Sequence, residues 1–162
     1  MTNMKVIIKE MCAQRGYNFL HEEDDEIIYE ECKIFFSKNT KININYIKEL
    51  IQLMETQNIH HVILIYTGNI TISVKKIIEM TQYFNIELFK ESEFNFNITK
   101  HRLVPKHTKV TDPLEMKQIR KHVKNLPVIL RDDVIVKFYA FEKGDIIRVE
   151  RLNNSIVYRC VH

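Results

Sequence analysis

Residues 61–66, His61-Val-Ile-Leu-Ile-Tyr66, predict the centre of the N-terminal fold. The run is short, rich in β-branched residues and apolar throughout. Such a run is typical of a β-strand that other elements cover on both faces. No acidic side chain occurs between Val62 and Tyr66. We therefore expect a buried central strand that carries no catalytic carboxylate.

Helices and a second strand are predicted around this central strand. Asn45 is the expected N-cap of a helix whose apolar residues recur at helical spacing up to Met54. Gly68-Asn69 is a turn signal, and Thr71 or Ser73 can cap the helix that follows. Residues 86–89 predict another strand. The order helix, buried strand, helix, strand is that of a small α/β unit.

The N-terminal segment predicts a further helix and then an acidic loop. Apolar residues at helical spacing predict a helix over Met4–Arg15, which Gly16 ends as a left-handed cap. The acidic run 22–26 follows. It could hold a cation, but loops that bind hard cations need spaced ligands and usually a glycine turn. A solvated loop or the start of a helix is the favoured interpretation.

A second pattern begins near Glu93. Phe94, Phe96 and Ile98 alternate with polar residues, which predicts a strand or an extended linker. Thr111-Asp112-Pro113 opens a short helix, and Asp132 or Asp133 starts another. Two β-rich runs, 146–151 and 155–161, surround Leu152-Asn153-Asn154 and predict a hairpin. The predicted fold class is α+β, with an N-terminal domain over residues 1–93 and a C-terminal domain over residues 94–162.

Composition limits the possible functions. The net charge of +3 is too small to announce a nucleic-acid binder, so any DNA contact must be local or shared with partner chains. No apolar run has the ~18 residues that a membrane-spanning helix needs. Cys12, Cys32 and Cys160 are dispersed, which argues against a disulfide framework. We expect a soluble, intracellular protein with reduced thiols and no membrane partner.

Catalytic and metal sites are not indicated. Neither the adjacent His60 and His61 nor the pair His101 and His107 has a carboxylate or thiol at ligand spacing beside it, so we expect no metal site. A metal-dependent nuclease needs an Asp and a Glu-x-Lys on neighbouring strands. The Glu-x-Lys at Glu115-Met116-Lys117 falls in a predicted helix where its carboxylate would face solvent. We therefore expect no catalytic residues and no cofactor, although a nuclease stays open as a minor alternative.

The best local nucleic-acid candidate is the turn and helix start at residues 69–76. A helix N-terminus offers free N–H groups and a partial positive charge to a phosphate. Lys75 and Lys76 follow one turn later. An ordinary capped surface helix explains the same residues about as well.

Four blocks of sequence, in order along nearly the whole chain, resemble one family. The most specific is Asn97-Ile-Thr-Lys-His-Arg-Leu-Val-Pro-Lys-His107. The other residues that carry the resemblance are Lys9-Glu10-Met11, Arg15-Gly16-Tyr17, the ranges 65–71 and 86–89, Leu126-Pro127, Arg131, Asp133, the range 144–148 and Tyr158-Arg159. Together they resemble the fifth subunit shared by eukaryotic nuclear RNA polymerases, whose C-terminal half also stands alone as a separate archaeal polymerase subunit.

The resemblance implies a non-catalytic polymerase subunit with a jaw domain and an assembly domain. The jaw lies near downstream double-stranded DNA, and the assembly domain docks on the largest polymerase subunit within the core enzyme. DNA proximity would fall on Asn69, Ile70, Thr71, Ile72, Ser73, Lys75 and Lys76. The subunit interface would include His101, Pro105, Lys106, His107, Arg131, Asp133, Gly144, Arg148, Tyr158 and Arg159.

The sequence departs from the family pattern at several positions. The family usually has proline where Ile72 and Val134 stand, and glycine where Ala140 stands. The segment between Tyr17 and Asn45 is also shorter than in cellular members. A shortened form in an AT-rich coding style suggests a large DNA virus, although an AT-rich protist fits too. The location would be the nucleus for a cellular protein, and a virion or cytoplasmic viral factory for a viral one. A freestanding transcription factor that mimics the fifth polymerase component is the other alternative.

Overall fold

The computed structural model describes residues 2–39, 41–81, 83–122 and 125–162. The chain divides into two compact units, Met1–Asn95 and Phe96–His162. Both units combine helices with β-sheet, so the predicted α+β class is confirmed.

The N-terminal unit contains three helices and seven strands among its described residues. The helices are α1 (Thr2–Gln14), α2 (Ile44–Gln57) and α3 (Ile72–Met80). The strands are β1 (Phe19–Glu22), β2 (Glu26–Tyr29), β3 (Lys33–Phe36), β4 (Lys41–Ile42), β5 (His61–Tyr66), β6 (Asn69–Ile70) and β7 (Asn85–Lys90). A five-stranded sheet has the order β1-β2-β3-β5-β7, and β4 pairs separately with β6.

The predicted central strand is confirmed as β5. It pairs in parallel with β3 on one side and β7 on the other. Val62 and Leu64 pack into a core with α2 and α3. Ile63 and Ile65, which alternate with them, are also buried. A strand covered on both faces needs apolar side chains at every position, which is the pattern of this run.

Local capping explains where the helices of this unit begin and end. Gly16 has a φ of 79°, as expected for the left-handed residue after α1. The predicted N-cap of α2 was wrong by two residues. Asn43 is the cap, because its side chain accepts a hydrogen bond of 2.9 Å from the Tyr46 N–H. Asn45 instead lies in the first turn of the helix.

The region between Gly16 and α2 differs most from the prediction. The acidic run was expected to be a loop or a helix start, but it spans the end of β1, a turn and the first residue of β2. The strands β1 to β3 were not predicted. In β1 all four side chains are exposed, so no alternation of buried and exposed residues marks it.

The C-terminal unit is built on a four-stranded sheet. Its helices are α4 (Pro113–His122) and α5 (Val134–Tyr139). Its strands are β8 (Lys106–Lys109), β9 (Val128–Ile129), β10 (Ile146–Glu150) and β11 (Ile156–Val161), in the order β8-β10-β11-β9. The predicted hairpin is confirmed, since β10 and β11 pair antiparallel. Asp133 is confirmed as the N-cap of α5, because its Oδ1 accepts a hydrogen bond of 2.9 Å from the Ile135 N–H.

The two helices of this unit cover opposite faces of its sheet. Val136 of α5 packs against Ile147, Val149 and Val161, whereas Ile119 of α4 packs against Ile146. The predicted strand or extended linker after Glu93 was wrong. Two 3₁₀ turns, Glu91–Phe94 and Ile98–Lys100, occupy that stretch. The Asn97 side chain explains the second turn, because its Oδ1 accepts a hydrogen bond of 3.0 Å from the Thr99 N–H.

Candidate nucleic-acid and subunit interfaces

The DNA-proximal residues predicted from the sequence form one exposed feature of the N-terminal unit. We call residues 69–76 the loop tip. It contains β6 and the first turn of α3, which begins at Ile72. Asn69, Thr71, Ile72, Ser73, Lys75 and Lys76 are exposed, Ile70 is half-buried, and Val74 points into the core. The loop tip is therefore anchored by the apolar side chains of Val74 and Ile70 and presents polar and basic groups outward.

The electrostatics of the loop tip favour an anion. Thr71 occupies the N-cap position of α3 with extended backbone dihedrals, and within the described structure its side chain makes no capping hydrogen bond. The first amides of a helix carry partial positive charge when no cap satisfies them. Neither Lys75 nor Lys76 forms an ion pair in the described part of the chain. Both lysines are exposed and can reach a phosphate.

The structure adds a basic residue that the sequence analysis missed. Lys41 of β4 is the parallel partner of Asn69 in β6 and is exposed. Its position next to the loop tip depends on a pairing of two-residue strands far apart in sequence. Two residues are too few for a periodic pattern, so no sequence signal could have found it.

Three predicted interface residues meet on the α5 side of the C-terminal sheet: His107, Asp133 and Arg159. His107 Nδ1 donates a hydrogen bond of 2.7 Å to the Pro105 carbonyl. Burial lowers the pKa of His107 below its ordinary value, and the Arg159 charge acts in the same direction. The hydrogen bond to Pro105 and the Asp133 charge oppose that shift. Arg159 Nη1 donates to the Val128 carbonyl at 3.2 Å.

Two other predicted residues, Arg148 and Tyr158, are direct partners in the hairpin and lie on the opposite face, toward α4. The Tyr158 hydroxyl donates a hydrogen bond of 3.0 Å to Glu115 Oε1. Burial, together with this hydrogen bond, raises the pKa of Tyr158. Arg148 Nε lies 3.4 Å from Glu150 Oε1, but the geometry is not that of a hydrogen bond, and this buried nitrogen has no hydrogen-bond partner among the described residues.

Pro105 joins the first group through its carbonyl, which accepts the His107 hydrogen bond. Within the described residues, no side-chain contact links His101, Lys106, Arg131 or Gly144 to either group. His101, Lys106 and Arg131 are exposed, and Pro105 is half-buried. Gly144 has a φ of 93° and its N–H donates to the Val161 carbonyl, so its role is to shape the turn before β10. The ten residues therefore do not make up one continuous surface.

One cluster of charged groups lies inside the N-terminal unit and was not predicted. Arg15 donates two hydrogen bonds to Glu87, of 2.9 and 2.7 Å, and His61 Nε2 lies 2.6 Å from Glu87 Oε1. Burial acts to raise the pKa of Glu87, but the His61 hydrogen bond and the Arg15 charge outweigh it, so the pKa is lowered. The Arg15 side chain is only 2% exposed. This cluster joins the end of α1 to β5 and β7.

The structure gives the nuclease alternative no support. Glu87 lies next to the central strand, but both of its oxygens are engaged by Arg15 and His61. Glu115 lies in α4 as predicted, yet it contacts Tyr158 on the sheet, so the prediction that it faces solvent was wrong. Over the described ranges, no group of three or more His, Cys, Asp or Glu side chains is placed to hold a metal. No helix there is long and apolar enough to span a membrane.

Comparisons with known proteins agree with the resemblance carried by residues 97–107. Residues 96–161 match the family described as RNA polymerase Rpb5, C-terminal domain. The chain is 29% identical to DNA-directed RNA polymerase V subunit 5A of Arabidopsis thaliana, over 88% of this chain and 66% of that protein. It is 31% identical to DNA-directed RNA polymerases I, II, and III subunit RPABC1 of Caenorhabditis briggsae, over 79% of this chain and 64% of that protein.

The match to a viral protein covers a larger share of that protein than the matches to the two cellular relatives do. The chain is 27% identical, over 96% of both chains, to subunit 454R of Invertebrate iridescent virus 6, which is provisionally assigned there as a DNA-directed RNA polymerase subunit. The chain spans less than two thirds of the length of the two cellular relatives, 66% and 64%.

These matches define a class of protein, the subunits of DNA-directed RNA polymerases. Within that class, residues 96–161 belong to the Rpb5 family, and the chain as a whole is similar to fifth subunits, as its sequence predicted.

Proposed function

We propose that this chain is a non-catalytic structural subunit of a multisubunit DNA-directed RNA polymerase. The observation that carries the proposal is the match of residues 96–161, almost the whole C-terminal unit, to the Rpb5 C-terminal domain. The polymerase subunits among the relatives support it further. A catalytic role gains no support, because the one buried carboxylate beside the central strand is saturated by hydrogen bonds.

The C-terminal unit, in this proposal, is the assembly domain that docks on the largest polymerase subunit. Its surface supports docking in two ways. The Arg148 side chain is 37% exposed, so the outer part of its guanidinium can reach an acceptor on another chain. Around the start of α5, Val128, Leu130 and Val134 are 49%, 64% and 45% exposed. An apolar patch edged by Arg131 and Asp133 has the composition of a protein interface.

The N-terminal unit, in the same proposal, is the jaw domain and presents its loop tip to downstream DNA. Lys41, Lys75 and Lys76 are exposed there, and the uncapped start of α3 adds partial positive charge. Such groups contact phosphates without reading bases, so they would orient the duplex independently of its sequence. The weak overall charge of the chain fits a contact that is local and shared with the rest of the core enzyme.

The proposed location depends on the source of the chain. A cellular subunit would act in the nucleus, and a viral one in a virion or a cytoplasmic viral factory. The relative from an iridescent virus, matched over 96% of both chains, favours the viral setting.

Copurification tests the subunit assignment. The chain is tagged in its native source and purified at moderate salt. Recovery of the two large polymerase subunits at equal stoichiometry is expected. Recovery of the chain alone, or with only traces of polymerase, would instead identify a freestanding mimic of the fifth polymerase component.

A charge reversal tests the loop tip in the assembled enzyme. Lys75→Glu with Lys76→Glu should weaken engagement of downstream DNA while leaving the protein in the polymerase complex. For each phosphate that the loop tip no longer binds, the slope of log affinity against log salt should fall by about 0.9. Lys33→Glu is a matched control, because Lys33 begins β3 at the end of the sheet away from the loop tip. An unchanged salt dependence in the double variant would refute the DNA contact.

A further inference from the structure

Strand β1 is an outer edge of the N-terminal sheet. Within the described structure it pairs with β2 alone, and all four of its side chains are exposed. Phe19 is 50% exposed and Leu20 is 51% exposed. An edge strand presents unpaired N–H and C=O groups, and soluble proteins usually protect such edges with proline, with lysine or with a covering element. Neither proline nor lysine occurs in β1 itself. Lys9 of α1 lies over the Phe19 ring and pairs with Glu22, and the strand bulges between Phe19 and His21. What the edge offers to a further strand is therefore its outer backbone N–H and C=O groups.

Acidic side chains surround this edge. Residues 22–31 contain seven acids and no lysine or arginine. Lys5 and Lys9 both pair with Glu22, and Lys38 pairs with Asp25. Among the described residues, the other five acids have no lysine or arginine partner. The local charge is therefore strongly negative.

The acids lie at both ends of β1. Residues 23–26 form the turn at its C-terminal end and the start of β2. Glu30 and Glu31 lie at its N-terminal end, where Asn18 donates to Glu30 Oε2 through its side chain and to Glu31 Oε2 through its N–H, each at 2.9 Å. A segment laid along β1 would meet apolar side chains in its middle and carboxylates at each end.

A depression of about 600 Å³ lies beside the turn and suits a cationic side chain. It is lined by Glu23, Asp24, Asp25, Glu26 and Phe35. Carboxylates attract an ammonium or guanidinium group, and the methylene stem of lysine or arginine packs well against an aromatic ring. The shape and the charge of this depression both favour a basic residue.

We propose that the β1 edge binds an extended, lysine- or arginine-rich segment of a partner protein, which adds to the sheet as a further strand. Main-chain hydrogen bonds would supply affinity, and the acids would select basic side chains. Two other occupants fit less well. The phosphates of DNA would be repelled, and a second copy of this chain would bring two acidic edges together. The β1 edge shares no residue with the loop tip or with the predicted interface residues.

A synthetic peptide tests the proposal on the full chain. The probe is a fluorescent, end-capped peptide of about ten residues that alternates lysine and valine. Two controls have the same length: one alternates glutamate and valine, and the other repeats the probe with every backbone nitrogen methylated. Methylation keeps the charge but removes the donors that strand addition needs. In fluorescence anisotropy, both controls should bind at least about tenfold more weakly than the probe.

Charge reversal at the edge provides matched variants. Glu30→Lys with Glu31→Lys should weaken probe binding by about tenfold or more. Glu49→Lys with Glu55→Lys, at exposed positions of α2, makes the same charge change elsewhere and should alter binding by no more than about twofold. Circular dichroism confirms that each variant is folded. The probe should also slow hydrogen exchange of amides in residues 19–22.

Four results would overturn the proposal. Equal binding of the N-methylated peptide would reduce the effect to non-specific charge attraction. Absence of protection in residues 19–22 would place the probe elsewhere. If duplex DNA competed with the probe at the β1 edge, the edge would be a DNA-binding surface. If sedimentation velocity showed a dimer that Leu20→Lys abolished, the edge would bind a second copy of this chain.

Discussion

Replacing Glu87 by glutamine should strongly destabilise the N-terminal unit. Glutamine has nearly the same shape, but it removes the negative charge that the Arg15 guanidinium and His61 face at 2.6–2.9 Å. The Arg15 side chain is 2% exposed, so water cannot replace the missing partner. Breaking a buried ion pair by removing one partner costs about 3–5 kcal/mol. That is a large part of the ~5–15 kcal/mol that stabilises a typical domain.

The effect should depend on pH in a defined direction. The pKa of Glu87 is lowered from the ordinary value of 4.5, because the His61 hydrogen bond and the Arg15 charge outweigh burial. The stabilisation is therefore fully present above the ordinary pKa and is lost as the pH falls through the lowered one. The gap in free energy of unfolding between wild type and Glu87→Gln should narrow on acidification.

Urea denaturation of the full chain measures the loss in free energy of unfolding. Hydrogen exchange of the β5 and β7 amides then assigns that loss to the N-terminal unit. A loss of 3 kcal/mol corresponds to a fall of about 12 °C or more in melting temperature for a domain of this size. Lys38→Ala is the control, because Lys38 and its partner Asp25 are 76% and 56% exposed. It should cost less than about 1 kcal/mol.

A double replacement separates charge from packing. Arg15→Met with Glu87→Leu removes both charges and should recover much of the stability, since apolar replacement of a whole buried pair is often neutral. If Glu87→Gln alone stays within about 1 kcal/mol of wild type at neutral pH, the reasoning is refuted. An unchanged gap between pH 7 and strongly acidic pH would refute the ionic explanation in particular.

Three backbone substitutions should also change stability, each measured as a shift of the urea midpoint. Ala140→Gly should stabilise the C-terminal unit by about 0.5–1 kcal/mol, because Ala140 has a φ of 53° and glycine adopts that conformation without strain. Gly144→Ala should destabilise it by about 1–2 kcal/mol, because φ is 93° although no atom lies within 4 Å of an added Cβ. Ile72→Pro should stabilise α3 by about 0.4–1 kcal/mol, because Ile72 is the first helical residue and Thr71 is already extended.

Elements marked by a local signal could be predicted from the sequence. The uniformly apolar run of β5, the glycine after α1, the Asp133 cap and the hairpin of β10 and β11 each depend on neighbouring residues. Strand β1 has no such signal, whereas the β-branched and aromatic runs of β2 (Glu26–Tyr29) and β3 (Lys33–Phe36) were a signal that the sequence analysis overlooked. In β1 every side chain is exposed, and its acids resemble a loop. The Phe94, Phe96 and Ile98 alternation was misleading, because local hydrogen bonds from side chains such as Asn97 favoured tight turns over a strand.

The candidate interfaces could be predicted only in part, because a surface that depends on strand pairing or on the face of a strand leaves no local signal in the sequence. The loop tip is continuous in sequence, so its lysines were identified together. Lys41 joins it through the pairing of β4 with β6, which brings distant residues together. In the C-terminal unit, neighbouring residues of a strand point to opposite faces, so Tyr158 and Arg159 fall into different groups. Motif matching selects both residues but cannot separate the two surfaces.

The small net charge of the chain is an average over local surfaces of opposite sign. The acids of residues 22–31 offset lysines that lie elsewhere, including those of the loop tip. Because exposed charges more than about 10 Å apart are largely screened at physiological salt, each surface acts on its own neighbours. A phosphate site at the loop tip and a basic-peptide site at the β1 edge are therefore both compatible with a net charge of +3. The net charge alone would have argued against the phosphate contact and against the basic-peptide contact.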